Sequence, residues 1–452
     1  MKFTFLFLFF SQLLVAQNFT GIVLDSETKT PLENITVYFE RGQTGTTTNI
    51  SGKFSLKTSA VLLKEDNLQF SFIGYTSKTI ALETFRYGTT TIYLSKKLED
   101  LDEVLVKTYK EDLQKSIKFK TLAPLKTSVY AFGSQIIGDS IYVVSGNSSY
   151  TEDSGKKALQ TMNQYANPTF ADFMKEFQLF NFNYEAYNNT LQIYDIQNNT
   201  WSISDTKFRK RAFNNVNSHR NTLYSLGGKR LSPSKKYEYL DDKIEVFDLD
   251  SNEIKIDDTN PHQAIYFASF NYQDNIIAMG GSTKLNRRGD KEYTDAAHIY
   301  NITSGLWYEL TTMTTPKETQ GVIIDNIIYL IGGNNGSPLK TMESYNITTG
   351  IWTNEGQLFE GMEQPGLATH NNIIYIFNDE KLLTFNTITK SLKEYEILLK
   401  LKNSKLHYHK NKLYIVGGFT QNTHTIAASA KLYAIDLIEF DKTTIKKAKL
   451  VK

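Results

Sequence analysis

The stretch Asn326–Gly333, Asn-Ile-Ile-Tyr-Leu-Ile-Gly-Gly, limits what this chain can fold into more than any other, because it recurs. An apolar run ends in a glycine pair, Tyr345 follows twelve residues later, and Trp352 follows that tyrosine by seven. The first copy has Ile141-Tyr-Val-Val-Ser145-Gly146, then Tyr194-Asp195 and Trp201. The second has Leu223-Tyr-Ser-Leu-Gly227-Gly228, then Phe247-Asp248 with Ile254 in the Trp place. The third has Ile276-Ile-Ala-Met-Gly280-Gly281, Tyr300-Asn301 and Trp307, and the fourth is the phrase above, ending in Gly332 and Gly333. The fifth, Ile373-Ile-Tyr-Ile-Phe-Asn378-Asp379, has lost its glycines and continues with Phe385-Asn386 and Leu392. The sixth has Leu413-Tyr-Ile-Val-Gly417-Gly418, then Phe440-Asp441. The first members of the pairs stand at 145, 227, 280, 332, 378 and 417.

Each copy is one supersecondary unit that buries its faces only against its neighbours. A glycine pair lets a strand turn sharply at a crowded place, with dihedrals that a β-carbon forbids. The aromatic and the Trp are large enough to fill the wedge between adjacent units. The Gly-Gly, Tyr-Asp and Trp set at spacings near 50 resembles the kelch repeat over about residues 119–452. That resemblance implies a β-propeller, read here as six-bladed. Phe119–Leu125 resembles the outer strand that precedes each repeat, and is expected to complete the sixth blade so that the two ends fasten the ring. Five or seven blades stay open if the fifth copy is misread or one is hidden. The Ser145-Gly146 pair, the lost fifth pair and three missing tryptophans depart from the family pattern.

Everything before Tyr109 is of another kind. Phe19–Asp25, Ile35–Phe39, Gly52–Leu56, Leu68–Ile73 and Thr90–Leu94 alternate apolar and polar residues at roughly ten-residue spacing, which predicts a small β-sandwich. Gly21-Ile-Val-Leu-Asp25, Pro31-Leu32, Gly45-Thr-Thr-Thr-Asn49, Gly52-Lys-Phe54 and Phe72-Ile-Gly74-Tyr75 resemble the carboxypeptidase-regulatory-like domain over residues 17–107. This implies a seven-stranded, transthyretin-like sandwich of the kind found in Bacteroidetes-type exported proteins. It implies no peptidase activity, and the stretch contains no His for a zinc site. Leu98–Val106 also resembles the segment preceding the plug of outer-membrane receptors, but reads more simply as a last strand entering a linker. The expected order is a signal peptide at 1–16, the sandwich at 17–107, a charged linker at 108–118 and the propeller at 119–452. Residues 1–16 have a positive start, a Phe- and Leu-rich run too short to span a bilayer, and Ala16 before the cleavage point. The protein is therefore expected to be periplasmic, outer-membrane associated or secreted, with no membrane span after cleavage.

Composition narrows the function. A net charge of +2 gives no field that favours nucleic acid. The absence of Cys removes disulfides, thiolate metal sites and a Cys nucleophile, and with them the Tyr–Cys cross-link of galactose-oxidase-like enzymes. No phosphate-binding Gly-rich loop precedes a helix, and no Ser-His-Asp set can be picked out. No cofactor is expected.

Function is expected on the unequal loops after the glycine pairs. The longest, Gly146–Asn189, includes an amphipathic helix candidate at Ala171–Phe180 and reads as a partial lid. Lys229–Asp242, with Lys235, Tyr237 and Tyr239, and Ser282–Asp295, with Tyr293, come next; the three tyrosines are candidates for stacking on sugar rings. Arg211 stands sixteen residues before Gly227, where kelch repeats often carry an Arg aimed at the axis, and Lys317, Glu363 and His262 hold similar positions. His407 and His409 share one strand face, with no third metal ligand evident. Arg288-Gly-Asp290 matches an adhesion tripeptide by coincidence of three residues. The reading is a non-catalytic envelope or secreted protein whose propeller face binds a glycan or a protein. One alternative is a mutarotase or epimerase, since sialic-acid mutarotases are exported six-bladed kelch proteins; Arg211, Glu363 and His262 would then be the acid/base candidates. Another is an assembly factor for an outer-membrane complex.

Overall fold

The structure, a computed structural model, describes residues 17–59, 62–72, 74–85, 88–96, 113–180, 186–234, 237–285 and 291–451. The expected signal segment, Leu98–Val106, Lys235 and Arg288-Gly-Asp290 lie outside these residues. The chain divides into two compact units, residues 1–109 and 110–452.

The first unit is a two-sheet sandwich. Lys53–Thr58, Gln17–Asp25 and Thr90–Leu94 form one sheet, in which the last two run parallel. Thr44–Thr47, Thr36–Phe39, Asn67–Ser71 and Lys78–Ala81 form the other. Alternation places every second side chain inward, so Phe54 and Leu56 of one sheet meet Val37, Leu68 and Phe70 of the other in a single core. Each such fully buried side chain contributes about 2–3 kcal/mol of transfer free energy. Two motif residues far apart in sequence meet here. The Tyr75 hydroxyl donates to Asp25 Oδ2 at 2.7 Å, while Asp25 Oδ1 accepts the N–H groups of Glu27 and Thr28.

The second unit is a ring of six antiparallel sheets. From the axis outward, blade one is Gly133–Ile137, Ser140–Val144, Thr190–Asp195 and Thr200–Lys207. Blades two, three and four begin with Asn215–His219, Ala268–Tyr272 and Glu318–Ile324, and blades five and six with Gly366–His370 and Lys405–His409. Each innermost strand neighbours the next, the sixth against the first. Six apolar cores lie between the blades, one per interface: Tyr194 and Trp201 of blade one pack with Tyr414 and Val416 of blade six, and Tyr345 of blade four with Phe270 and Met279 of blade three. The Tyr–Trp pairs sit opposite one another on the two outer strands, ring centroids 5.1, 5.0 and 4.8 Å apart at Tyr194–Trp201, Tyr300–Trp307 and Tyr345–Trp352.

The repeated pair serves blade-to-blade approach. In every copy its second member donates a backbone hydrogen bond to the lead-in segment of the following blade: Gly146 to Arg211, Gly228 to Ala264, Gly281 to Lys317, Gly333 to Met362, Asp379 to Leu401 and Gly418 to Val129. All four Gly-Gly pairs have positive φ at both residues. A β-carbon on Gly333 would lie 2.0 Å from the Glu318 carbonyl oxygen. The fifth copy keeps the hydrogen bond but not the register. Asn378 stays in the strand opposite Lys381, and the positive-φ residues are Asp379 and Glu380. A two-residue hairpin turn thus replaces the glycine pair, because nothing is inserted there.

Lys120–Thr121 is the outermost strand of blade six, pairing Thr121 with Tyr433 and Lys120 with Ala434. A strand near the C-terminus, Lys447–Leu450, adds to the outer edge of blade five, a pairing that sequence reasoning missed. The linker expectation of 108–118 needs correction at its far end. Gln114 N–H donates to Lys442 O, Ile117 N–H donates to Glu396 O, and the Ile117 side chain is buried between blades five and six.

Candidate binding face of the propeller

Segments that leave the glycine pairs rise on one face and fold into a crown. Lys229–Leu231 pairs with Glu238–Leu240, and Ser282–Leu285 with Lys291–Tyr293. Phe419–Gln421 pairs with Thr425–Ala428, which Tyr150–Glu152 of the blade-one insertion joins. That insertion also carries helices Ser154–Met162 and Phe170–Phe180. Asp153 caps the first by accepting the Lys156 N–H. Thr169 and Asp172 cap the second reciprocally. Blade four contributes only a short loop and blade five only its two-residue turn, so the crown has no hairpin on that side.

Under the crown, one residue per blade rings the axial mouth: Ala131, Phe213, Tyr266, Thr319, Gln364 and Asn403. Five stand fourteen residues before the first member of their pair, and in the fourth copy an irregularity between Glu318 and Gln320 shifts the place to Thr319. Ala131, Phe213, Tyr266 and Asn403 have positive φ. Main-chain bonds tie the ring, Phe213 N–H to Ala131 O at 2.6 Å and Thr319 N–H to Tyr266 O at 3.0 Å.

The mouth is aromatic and bordered by charge. Phe213 meets Tyr266 edge-on at 4.9 Å and Tyr187 at 6.3 Å, and Tyr130 meets Phe419 at 5.2 Å. Asn403 Nδ2 donates to the Tyr266 hydroxyl at 3.2 Å, reaching from blade six toward blade three. Burial, with Glu318 nearby, pushes the Tyr266 hydroxyl pKa up. Lys229 Nζ lies 4.8 Å from the Phe213 ring centroid and binds Glu238, which also accepts the Tyr187 hydroxyl. Lys291 Nζ lies 5.3 Å from the Tyr266 centroid and binds Glu318 at 2.7 Å.

Of the residues singled out from sequence, Tyr237 and Tyr239 are exposed on the blade-two hairpin, with the Arg230 guanidinium 5.4 Å from the Tyr239 ring. The Tyr293 hydroxyl donates to Asn334 Oδ1 at 3.1 Å. Arg211 is fully buried. Its guanidinium donates to Ser225 O, Gly227 O, Lys243 O and Glu245 Oε2 and lies 3.5 Å from Asp241, so it fastens the strands of its own blade. Lys317 holds the corresponding place in blade four and pairs with Glu343 while fully buried. His262 is buried, with one ring nitrogen 2.9 Å from Gly280 O and the other 2.9 Å from His298 Nδ1. Burial depresses its pKa to about 3, which keeps it neutral. Glu363 is exposed beside the mouth.

A cavity of about 330 Å³ runs along the axis between the innermost strands of all six blades. Arg211, His262 and Glu363 do not line it, whereas Lys405 and His407 do. His407 Nε2 is 2.8 Å from Ser134 Oγ, and burial with the Lys405 charge lowers its pKa to about 4. His409, on the same strand, pairs instead with Asp139 at 2.5 Å. Sequence reasoning missed Phe213, Tyr266 and Lys405. For Phe213 and Tyr266 the signal was the fixed fourteen-residue offset, which holds a different residue type in each copy; Lys405 stands twelve residues before Gly417 and has no such mark.

Comparison with known proteins agrees with this architecture. The family model described as CarboxypepD_reg-like domain matches residues 19–106, and that of the Kelch motif matches residues 319–358, blade four. Kelch-like protein 23 of Homo sapiens is 24% identical over 136 residues, 29% of this chain and 22% of that protein. Kelch repeat and BTB domain-containing protein 1 of Ectromelia virus (strain Moscow) is 26% identical over 165 residues, 33% of this chain and 28% of that protein. The match therefore spans less than a third of either relative. The solved structure of YjhT superposes with a TM-score of 0.50 at 10% identity, covering 70% of this chain and 99% of that one, a likeness of fold alone. Among the described residues no helix is long and apolar enough to cross a membrane. The protein is a carboxypeptidase-regulatory-like domain followed by a six-bladed kelch-repeat propeller.

Proposed function

We propose that this protein is an exported, non-catalytic binding protein whose crown face holds a glycan at the axial mouth. The observation that carries the reading is the aromatic ring at the mouth, with Phe213 and Tyr266 partly exposed below Lys229, Lys291, Glu238 and Glu318. Aromatic faces stack on the apolar faces of sugar rings, and the bordering charges supply hydrogen bonds to hydroxyls. Tyr239 and Tyr293 extend the surface outward. The sandwich would space or dock the propeller, and export would follow from the signal segment.

The test is a glycan array probed with residues 110–452. Wild type should bind a restricted set, Tyr266→Ala and Phe213→Ala should each weaken it about tenfold, and Tyr239→Ala should weaken it less. Failure of wild type to retain any glycan would sink the reading. The kelch relatives favour a protein partner as the second reading, which envelope pull-downs with the same fragment address; the assembly role stands or falls with that result. The mutarotase reading has less support. Arg211 and His262 are enclosed, and proton transfer needs groups that a substrate reaches. Unaccelerated sugar mutarotation by wild type would remove it.

A further inference from the structure

Below the mouth ring, the axial cavity carries a charge with no counter-ion. Lys405 opens the innermost strand of blade six, and its Nζ lies 3.5 Å from Gln320 Oε1 of blade four. Those blades flank blade five, so the side chain reaches past it to the next blade but one. Among the described residues no carboxylate pairs with Lys405, and no Asp or Glu lines the cavity. The nearest acids are committed elsewhere: Glu318 is held by Lys291 and by the Ser282 hydroxyl, and Glu363 stands in solvent at the rim. A second group is also incomplete. Gln364 Oε1 accepts Gln320 Nε2 at 2.8 Å, but Gln364 Nε2 is buried and has no acceptor.

Lys405 is half-buried on the cavity wall, and partly desolvating an ammonium without an acid is costly, as is leaving a buried donor unpaired. A leucine or methionine would fill the same volume without either cost. One ligand satisfies both groups. The geometry points to a small oxyanion, of the carboxylate or phosphate kind, bound at the upper end of the axial cavity by Lys405 Nζ on its wall and by the carboxamide of Gln364, which adjoins that wall through its hydrogen bond with Gln320. Gln320 bridges the two and sets their spacing. The volume of about 330 Å³ takes a small anion with a few waters and excludes a polymer, so this site is separate from the glycan surface above it.

The protonation of the site agrees. Burial lowers the Lys405 pKa to about 8, so the ammonium form persists at neutral pH and is lost in alkali. The other ionisable groups on the cavity wall are His407, neutral above about 4, and Tyr408. Asn215, Gln320 and Gln364 carry no charge. Anion affinity should therefore be present at pH 7 and fall away above pH 8.

Isothermal titration calorimetry on the chain from residue 17, at constant ionic strength, tests this with sodium phosphate and sodium acetate as separate probes. Wild type should give a saturable heat with at least one of them, and which one distinguishes an inorganic oxyanion from a carboxylate. Lys405→Met should lose about tenfold or more in affinity, Lys405→Arg should retain part of it, and wild type at pH 9.5 should resemble Lys405→Met. Should Lys405→Met fail to fold by circular dichroism, Gln364→Leu keeps the cation and should still weaken binding. Absence of saturable heat with both probes overturns the proposal. So does equal binding by wild type and a folded Lys405→Met, or by Gln364→Leu if that is the variant used. Lys405→Met, which changes the cavity wall and not the mouth ring, should leave glycan binding by the crown unchanged.

Discussion

At the scale of single residues, the repeat is held by positions whose backbone admits no substitute. Gly333 has φ near +115°, and a side chain there would run into the Glu318 carbonyl. Gly336, three residues on, has φ near +110° but open space around it. Gly333→Ala should therefore cost about 2–4 kcal/mol and Gly336→Ala about 1 kcal/mol, read from urea midpoints of the propeller; equal costs would mean the blade contact is unimportant. Two buried histidines make a pH prediction. His262 and His407 titrate in the folded state near 3 and 4, against about 6.5 unfolded. As pH falls below 6.5 the unfolded chain takes up protons that the native state does not. Stability should then drop by about 1.4 kcal/mol per pH unit for each histidine, down to about pH 4 for His407. Urea midpoints between pH 7.5 and 4.5 check this. His407→Asn should make the slope shallower, with His262 and its neighbour His298, whose pKa burial also lowers, still contributing, and a flat profile from 6.5 to 4.5 in wild type would refute it.

At the scale of elements, the two ends of the second unit do different jobs. Lys120–Thr121 closes blade six against Tyr433 and Ala434, so the ring joins chain segments about 300 residues apart. Lys447–Leu450 only adds a fifth strand to a blade that already has four. Removing residues 113–125 should abolish cooperative unfolding of the propeller, whereas ending the chain at 446 should leave it cooperative with a lower melting temperature. Calorimetry of the two truncations decides, and the reverse order would mean that closure lies elsewhere. The legibility of elements follows the same division. The Phe119–Leu125 closing strand was readable because it resembles the outer strand before every repeat. Lys447–Leu450 was not, since alternating Lys with small apolar residues does not mark a strand until a partner edge is present. Helix Phe170–Phe180 announced itself through its aromatic periodicity. Helix Ser154–Met162, whose buried face is Ser154, Ala158 and Met162, carried too few apolar residues to stand out.

At the scale of the whole molecule, the chain assembles two independent all-β cores by two routes. In the sandwich, the period-two pattern along each strand is enough to build one core between two sheets. In the propeller each sheet is covered only by its neighbours, and the six interfacial cores form only when the ring is complete. Insertions are tolerated on one face because they leave from the ends of paired strands without disturbing those cores. The candidate binding surface inherits this arrangement: a uniform mouth, with an uneven crown above it.

The sequence by itself determined the repeat, the sandwich and the face on which the loops emerge, and favoured six blades while leaving five or seven open. These follow from short-range periodicity and from glycine positions, and both are written in consecutive residues. Only the tertiary structure decided what the singled-out side chains do. Arg211, Lys317 and His262 hold similar positions before their glycine pairs, which suggested an axial ring, yet each is turned into its own blade and buried there. Phe213, Tyr266, Gln364 and Lys405 come from four blades and share no residue type, and only ring closure gathers them about one axis. A periodic pattern fixes where a backbone goes; which side chain meets which across a ring depends on contacts between residues as far apart as Ser134 and His407.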